Sequence, residues 1–133
     1  MRNLLLFIGF AFLISCNEPY PAREKWTYQI KNELSIPIYL DIYNDNIIYK
    51  SDTIFAKSAI LSEDYSMGFK LPVFLFSGDS IKVVFNNEKY KWDDKTKWKE
   101  PHSMYEPNNY SGNPNNTRIY TFTQEDYDNA LPM

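Results

Sequence analysis

The sequence has one cysteine and one histidine in 133 residues. A single thiol allows no internal disulfide, so the folded part must hold together through its core and its backbone pairing. His102 has no company either. A catalytic triad, a Cys–His pair or a zinc site each needs partners that the chain does not supply, and His102 reads as a loop histidine. Asn44-Asp45-Asn46 lacks the ligand spacing of a calcium loop. The expectation is no metal, no cofactor and no enzymatic activity. Lys89, Lys91, Lys95, Lys97 and Lys99 form the one basic cluster, diluted by Glu88, Asp93, Asp94 and Glu100, and the net charge is −3. Nucleic-acid binding needs a concentrated basic face, so it is set aside, and these lysines read as a solvated strand face and loop. Four glycines and eight prolines are too few for a low-complexity chain. The apolar run from Leu4 to Ile14 is about eleven residues, short of the roughly 20 that a spanning helix needs.

That run is informative by position. Arg2 precedes it and Leu13-Ile14-Ser15-Cys16 closes it, which is the plan of a secretory signal peptide. The stretch resembles a bacterial lipoprotein signal, with Leu13-Ile14-Ser15-Cys16 as the lipobox. The resemblance implies that residues 1–15 are removed, that Cys16 carries a diacylglycerol and that its new amino terminus is acylated, for instance with palmitate. Two or more acyl chains make attachment stable, because each buried methylene adds about 0.8 kcal/mol. Residues 16–25 then form a tether that Pro19 and Pro21 stiffen. In such lipoproteins of enteric bacteria an aspartate next to the lipidated cysteine is the retention signal; Asn17 stands there instead, and the resemblance then implies the outer membrane, on its periplasmic or its surface face.

Residues 26–133 are enough for one small domain. Eleven Tyr, nine Phe and three Trp favour strands. Trp26 to Lys31 alternates with period two, as do Ile36 to Tyr43 and Ser80 to Phe85. Asn44-Asp45-Asn46 turns the second of these into a short strand, Ile47 to Lys50, which Ser51-Asp52 breaks. Ser62 to Gly68 reads as turn, and Lys70 to Phe76 as a strand buried on both faces. Asn86-Asn87 reads as a tight turn into Glu88 to Trp92, with Tyr90 and Trp92 facing one way and Lys89 and Lys91 the other. Asp93 to Thr117 loses periodicity. Arg118 to Thr123 is a last strand, and Thr123 with Asp126 three residues on caps a short C-terminal helix. The expected fold is all-β: a small antiparallel, immunoglobulin-like β-sandwich of about seven strands with that helix.

Candidate contacts follow from the same pattern. Trp98, Tyr105 and Tyr110 in the long loop are candidate ligand contacts, since aromatic faces stack on sugar rings. Asp52-Thr53-Ile54 and Asp79-Ser80-Ile81 resemble the O-glycosylation signal of exported Bacteroidetes proteins, which makes Thr53 and Ser80 candidate modification sites. Carboxylates at Asp93-Asp94 and Glu125-Asp126-Tyr127-Asp128 have the chemistry of a glycosidase pair, although capping accounts for the second group. Cys16, Tyr28-Gln29-Ile30-Lys31-Asn32, Asp79-Ser80-Ile81-Lys82-Val83-Val84-Phe85 and Tyr120-Thr121-Phe122-Thr123-Gln124-Glu125-Asp126-Tyr127 together resemble a group of small Bacteroidetes outer-membrane lipoproteins of unknown function. That resemblance implies a lipidated all-β domain and brings no catalytic motif. The expected role is a lipid-anchored binding or structural protein, with the membrane as partner through Cys16 and a glycan or envelope protein as a second partner. The alternatives are a glycan-binding accessory lipoprotein and an immunity-type inhibitor.

Overall fold

The computed structural model describes residues 24–66, 78–113 and 116–133. The signal-like stretch, Cys16, most of the tether and the expected strand Lys70–Phe76 lie outside the described residues. Nine strands and one short helix are described: β1 Glu24–Asn32, β2 Ile38–Asn44, β3 Ile47–Ile54, β4 Ala59–Ser66, β5 Ser80–Phe85, β6 Lys89–Asp94, β7 Ser111–Asn113, β8 Thr117–Phe122, α1 Gln124–Asp128 and β9 Leu131–Pro132. They form two sheets, ordered β4-β1-β8-β7 and β3-β2-β5-β6-β9. The all-β, sandwich-like architecture is as the alternation of apolar residues predicts. Three strands lie beyond the pattern: β4, and the short β7 and β9, only three and two residues long. Pairing is antiparallel except between β1 and β8, which run parallel with Thr27 beside Thr117 and Asn32 beside Phe122.

The core lies between the sheets. Ile30 of β1 and Tyr120 and Phe122 of β8 meet Ile38, Leu40 and Ile42 of β2 and Ile81, Val83 and Phe85 of β5 in one buried cluster. Phe85 and Phe122 join the sheets edge to face, with ring centroids 6.0 Å apart, the geometry that aromatic quadrupoles favour. Asn32 closes one end. It is fully buried at the end of β1, not in a turn. Its Nδ2 donates to the carbonyls of Ile36 (2.7 Å), Ile54 (3.2 Å) and Phe55 (3.2 Å), and its Oδ1 accepts the Leu34 N–H at 2.9 Å. One side chain thus ties the first sheet to the end of β3 in the second.

Two expected interruptions are strands. Ser51 and Asp52 do not break β3, where Ser51 stands opposite Asp41 and donates to its carboxylate at 2.6 Å. Polar Ser62 to Ser66 continues β4 against β1, with Lys25 and Glu63 ion-paired at 2.8 Å. Both are edge strands, where polar side chains and backbone meet water and a polar run is no obstacle. Lys50 and Asp52 of β3, paired at 3.0 Å, stand opposite Ile42 and Leu40. Charges on the inner face of an edge strand, with a bulge near Tyr43, discourage pairing with another molecule.

Candidate functional site

The site starts from the hairpin between β5 and β6. Asn86 (φ 49°) and Asn87 (φ 57°) take the left-handed conformation that asparagine tolerates. The Glu88 N–H closes the turn on the Phe85 carbonyl at 2.9 Å, yet Phe85 stands opposite Lys89, so Asn86, Asn87 and Glu88 all lie in the loop. That residue beyond a two-residue turn exchanges the faces of β6, because side chains alternate along a strand. Lys89, Lys91 and Asp93 now stand opposite Phe85, Val83 and Ile81, the inward residues of β5. This corrects the expected solvated face for these lysines. Trp92 is 47% exposed and tilts against Tyr43, with centroids 5.1 Å apart.

Each charged group on the inner face of β6 holds a neighbouring segment. Lys89 Nζ donates to the carbonyls of Tyr127 (3.1 Å) and Asp128 (3.3 Å) at the end of α1, where a cation suits the negative end of a helix. Lys91 Nζ donates to the His102 carbonyl at 2.9 Å and to the Tyr120 hydroxyl at 3.3 Å. It also lies over the rings of Tyr120 (5.9 Å) and Phe122 (5.6 Å). Buried Asp93 accepts the Met104 N–H at 3.1 Å. The segment 95–110, without periodicity in the sequence, is therefore pinned to β6 by two charges and to β8 by the Tyr120 hydroxyl, which donates to the His102 carbonyl at 2.6 Å.

Asp126 completes the cluster from α1. Its Oδ2 accepts the Thr123 N–H at 2.8 Å, the capping contact that Thr123 and Asp126 predict. Its Oδ1 faces the other way, 3.5 Å from Lys91 Nζ and 3.8 Å from His102 Nδ1. Glu125 Oε1 stands 3.6 Å from His102 Nε2. Lys91, Asp93, Glu100, His102, Glu125 and Asp126 line a cleft of about 290 Å³. Burial pushes the Asp93 carboxyl above the usual carboxylate range; Lys91 and the Met104 N–H oppose that rise and Asp126 adds to it. Burial, then the charges of Asp126 and Asp93, hold the Tyr120 hydroxyl well above its ordinary value. The cleft can hold a positive group against its carboxylates, with the His102 ring beside two of them.

The linkage of Asp93 to stability can be tested. The folded state holds its proton more tightly than the unfolded state, so its contribution is present at acid pH and is lost as pH rises through the folded value. Asp93→Asn keeps an oxygen for the Met104 N–H and removes the titration. In urea unfolding at a series of pH values, wild type should lose ground relative to Asp93→Asn from acid to neutral pH. A constant difference between the two would show an unperturbed carboxyl.

The residues singled out from sequence scatter. Tyr105 and Tyr110 are 2% and 5% exposed, their hydroxyls donating to the Gly78 carbonyl (3.4 Å) and the Met104 carbonyl (2.8 Å). Both rings are core, which corrects their assignment as ligand contacts. Trp98 is 41% exposed, with Lys99 Nζ 5.1 Å from its ring centroid. Thr53 stands opposite Tyr39 in β3. Ser80, at the start of β5, donates to Asp79 Oδ1 at 3.0 Å beside a hollow of about 380 Å³ that Asn46, Asp94 and Thr96 also line. Thr53 and Ser80 share none of the cleft's lining. Asp93 and Asp94 part company: Asp94 faces outward and caps a 3-10 turn, its Oδ1 accepting the Thr96 N–H at 2.8 Å. Among the described residues no group of three His, Cys, Asp or Glu is arranged to hold a metal ion. Lys91 and Asp93 escape a reading of alternation alone. Their signal is three ionisable residues at alternate positions beside a three-residue asparagine-rich loop.

No family model matches the chain, and no curated protein and no solved structure matches it significantly.

Proposed function

We propose that the chain is a lipid-anchored protein of the bacterial cell envelope whose β-sandwich has a binding or structural role. The observation that carries this reading is Leu13-Ile14-Ser15-Cys16 at the end of a short apolar run headed by Arg2. Support comes from the absence of any other cysteine, which leaves Cys16 to the lipid, and from β1 beginning at Glu24, soon after the attachment point. The outer membrane is the proposed address.

Expression in a bacterial host with labelled palmitate tests it. Wild type should take up label and partition into detergent. Cys16→Ala should remain unlabelled and uncleaved, and globomycin should arrest wild type in the same precursor form. An unlabelled wild type, or equal labelling of Cys16→Ala, would refute the anchor. A second reading, glycan binding, now rests on Trp98 alone among the three loop aromatics because its ring remains open. Unchanged glycan retention by Trp98→Ala would remove it.

A further inference from the structure

We propose that the cleft between β6, the 95–110 segment and α1 binds a small organic cation, a protonated amine or a guanidinium. This deepens the binding role proposed above and is independent of the lipid anchor. Charge is the first argument. Asp93, Glu100, Glu125 and Asp126 line the cleft against one ammonium, Lys91, and one imidazole, His102. An anion meets net repulsion there.

The second argument is an atom. The Asp126 side chain is 1% exposed, and its Oδ1 is buried with no hydrogen-bond donor. Both nearby nitrogens are too distant to serve, at 3.5 Å and 3.8 Å. Lys91 has three N–H groups, and two are committed to the His102 carbonyl and the Tyr120 hydroxyl. A buried acceptor without a donor is costly, and a donor entering from the cleft satisfies it. Glu125, with its side chain 66% exposed, and exposed Glu100 mark the mouth, where a second N–H can be met. The volume of about 290 Å³ suits a ligand of amino-sugar or alkylguanidinium size. The carboxylates do not converge as a metal cage does among the described residues; a planar or tetrahedral nitrogen cation needs only one or two of them.

The His102 ring lies beside the same oxygens. The groups facing it are Glu125 and Asp126 from α1, Lys91 and Asp93 from β6, Tyr120 from β8 and Glu100 from its own segment.

As the only imidazole in the chain, His102 reports on the cleft by NMR. The full chain, in detergent, is titrated with glucosamine and with ethylguanidinium, and with neutral N-acetylglucosamine as control. The expected result is a saturable shift of the His102 resonances with at least one cation and no saturable shift with the control. Saturation by one cation and not the other identifies the nitrogen group. Glu125→Gln, an exposed change that leaves the Thr123 cap intact, should weaken binding by about threefold, and Asp126→Asn by more. The same result is expected in a Cys16→Ala background, which separates this proposal from the anchor. No saturable shift with either cation, equal shifts with the control, or saturation indifferent to both variants would overturn it.

Discussion

Asn32→Asp should be among the most damaging single-atom changes available to this domain. The substitution is isosteric, and Oδ1 still accepts the Leu34 N–H. What disappears is the amide group that serves the carbonyls of Ile36, Ile54 and Phe55. A carboxylate in its place sets negative charge against three carbonyl oxygens in a position without solvent. The Phe55 carbonyl keeps the Ser58 N–H and hydroxyl, but losing the donor to the buried Ile54 carbonyl costs about 1–3 kcal/mol, and an unpaired buried charge costs more unless it takes up a proton. A loss of at least about 3 kcal/mol follows, which for a domain near this size lowers Tm by about 12 °C or more. Thermal and urea unfolding read it. Asn44→Asp, at an exposed position, should stay within about 0.5 kcal/mol of wild type. Equal stabilities for the two variants would mean that Asn32 does not tie the sheets together.

Lys91→Met should be comparably severe at neutral pH. Methionine fills much of the space of the lysine stem and keeps contact with Tyr120 and Phe122. It removes the cation between Asp93 (3.7 Å) and Asp126 (3.5 Å) and both of its hydrogen bonds. Breaking a buried pair from one side costs about 3–5 kcal/mol, because the remaining charge stays buried. The deficit should shrink as pH falls, since protonated carboxyls need no cation, and Asp93 takes up its proton more readily than an ordinary carboxyl. Urea unfolding at neutral and acid pH measures both effects, and Asp126→Asn in the Lys91→Met background should recover part of the loss. A lysine on a solvated strand face would change stability by less than about 0.5 kcal/mol when replaced, so the experiment decides between the two faces of β6.

That choice of face marks the boundary of what linear sequence tells. β1, β2 and β5 were readable because apolar and polar residues alternate where one face is buried and the other wet. The hairpin turn at Asp45 and Asn46, and the cap of α1 by Asp126, were readable because each rests on residues adjacent in the chain. β4 was hidden because an edge strand carries polar residues on both faces without penalty. β6 alternates as clearly as β2, but lysine against aromatic is the same pattern in either register, and one residue in the loop decides between them. The cleft was the least legible part. Lys91, His102 and Asp126 come from three separate segments, and the contacts that unite them run from side chains to carbonyls, which leave no periodic trace. Tyr105 and Tyr110 were misread for a related reason: core residues in an irregular segment have no spacing that distinguishes them from surface aromatics.

The parallel pairing of β1 with β8 sets an order on events in time. β4 can meet β1 as soon as residue 66 is free to move, since it lies far nearer in the chain than β8 does. The other edge of β1 has no native partner until Thr117 to Phe122 arrive. Closing so long a stretch of chain before any reward is slow, and domains dominated by such distant pairings fold in roughly milliseconds to seconds. During synthesis or passage through a narrow channel, the chain must emerge as far as Phe122 before the first sheet can close. A chain delivered end to end therefore stays pliable until delivery is nearly complete, and commits to its fold only when its last long strand arrives.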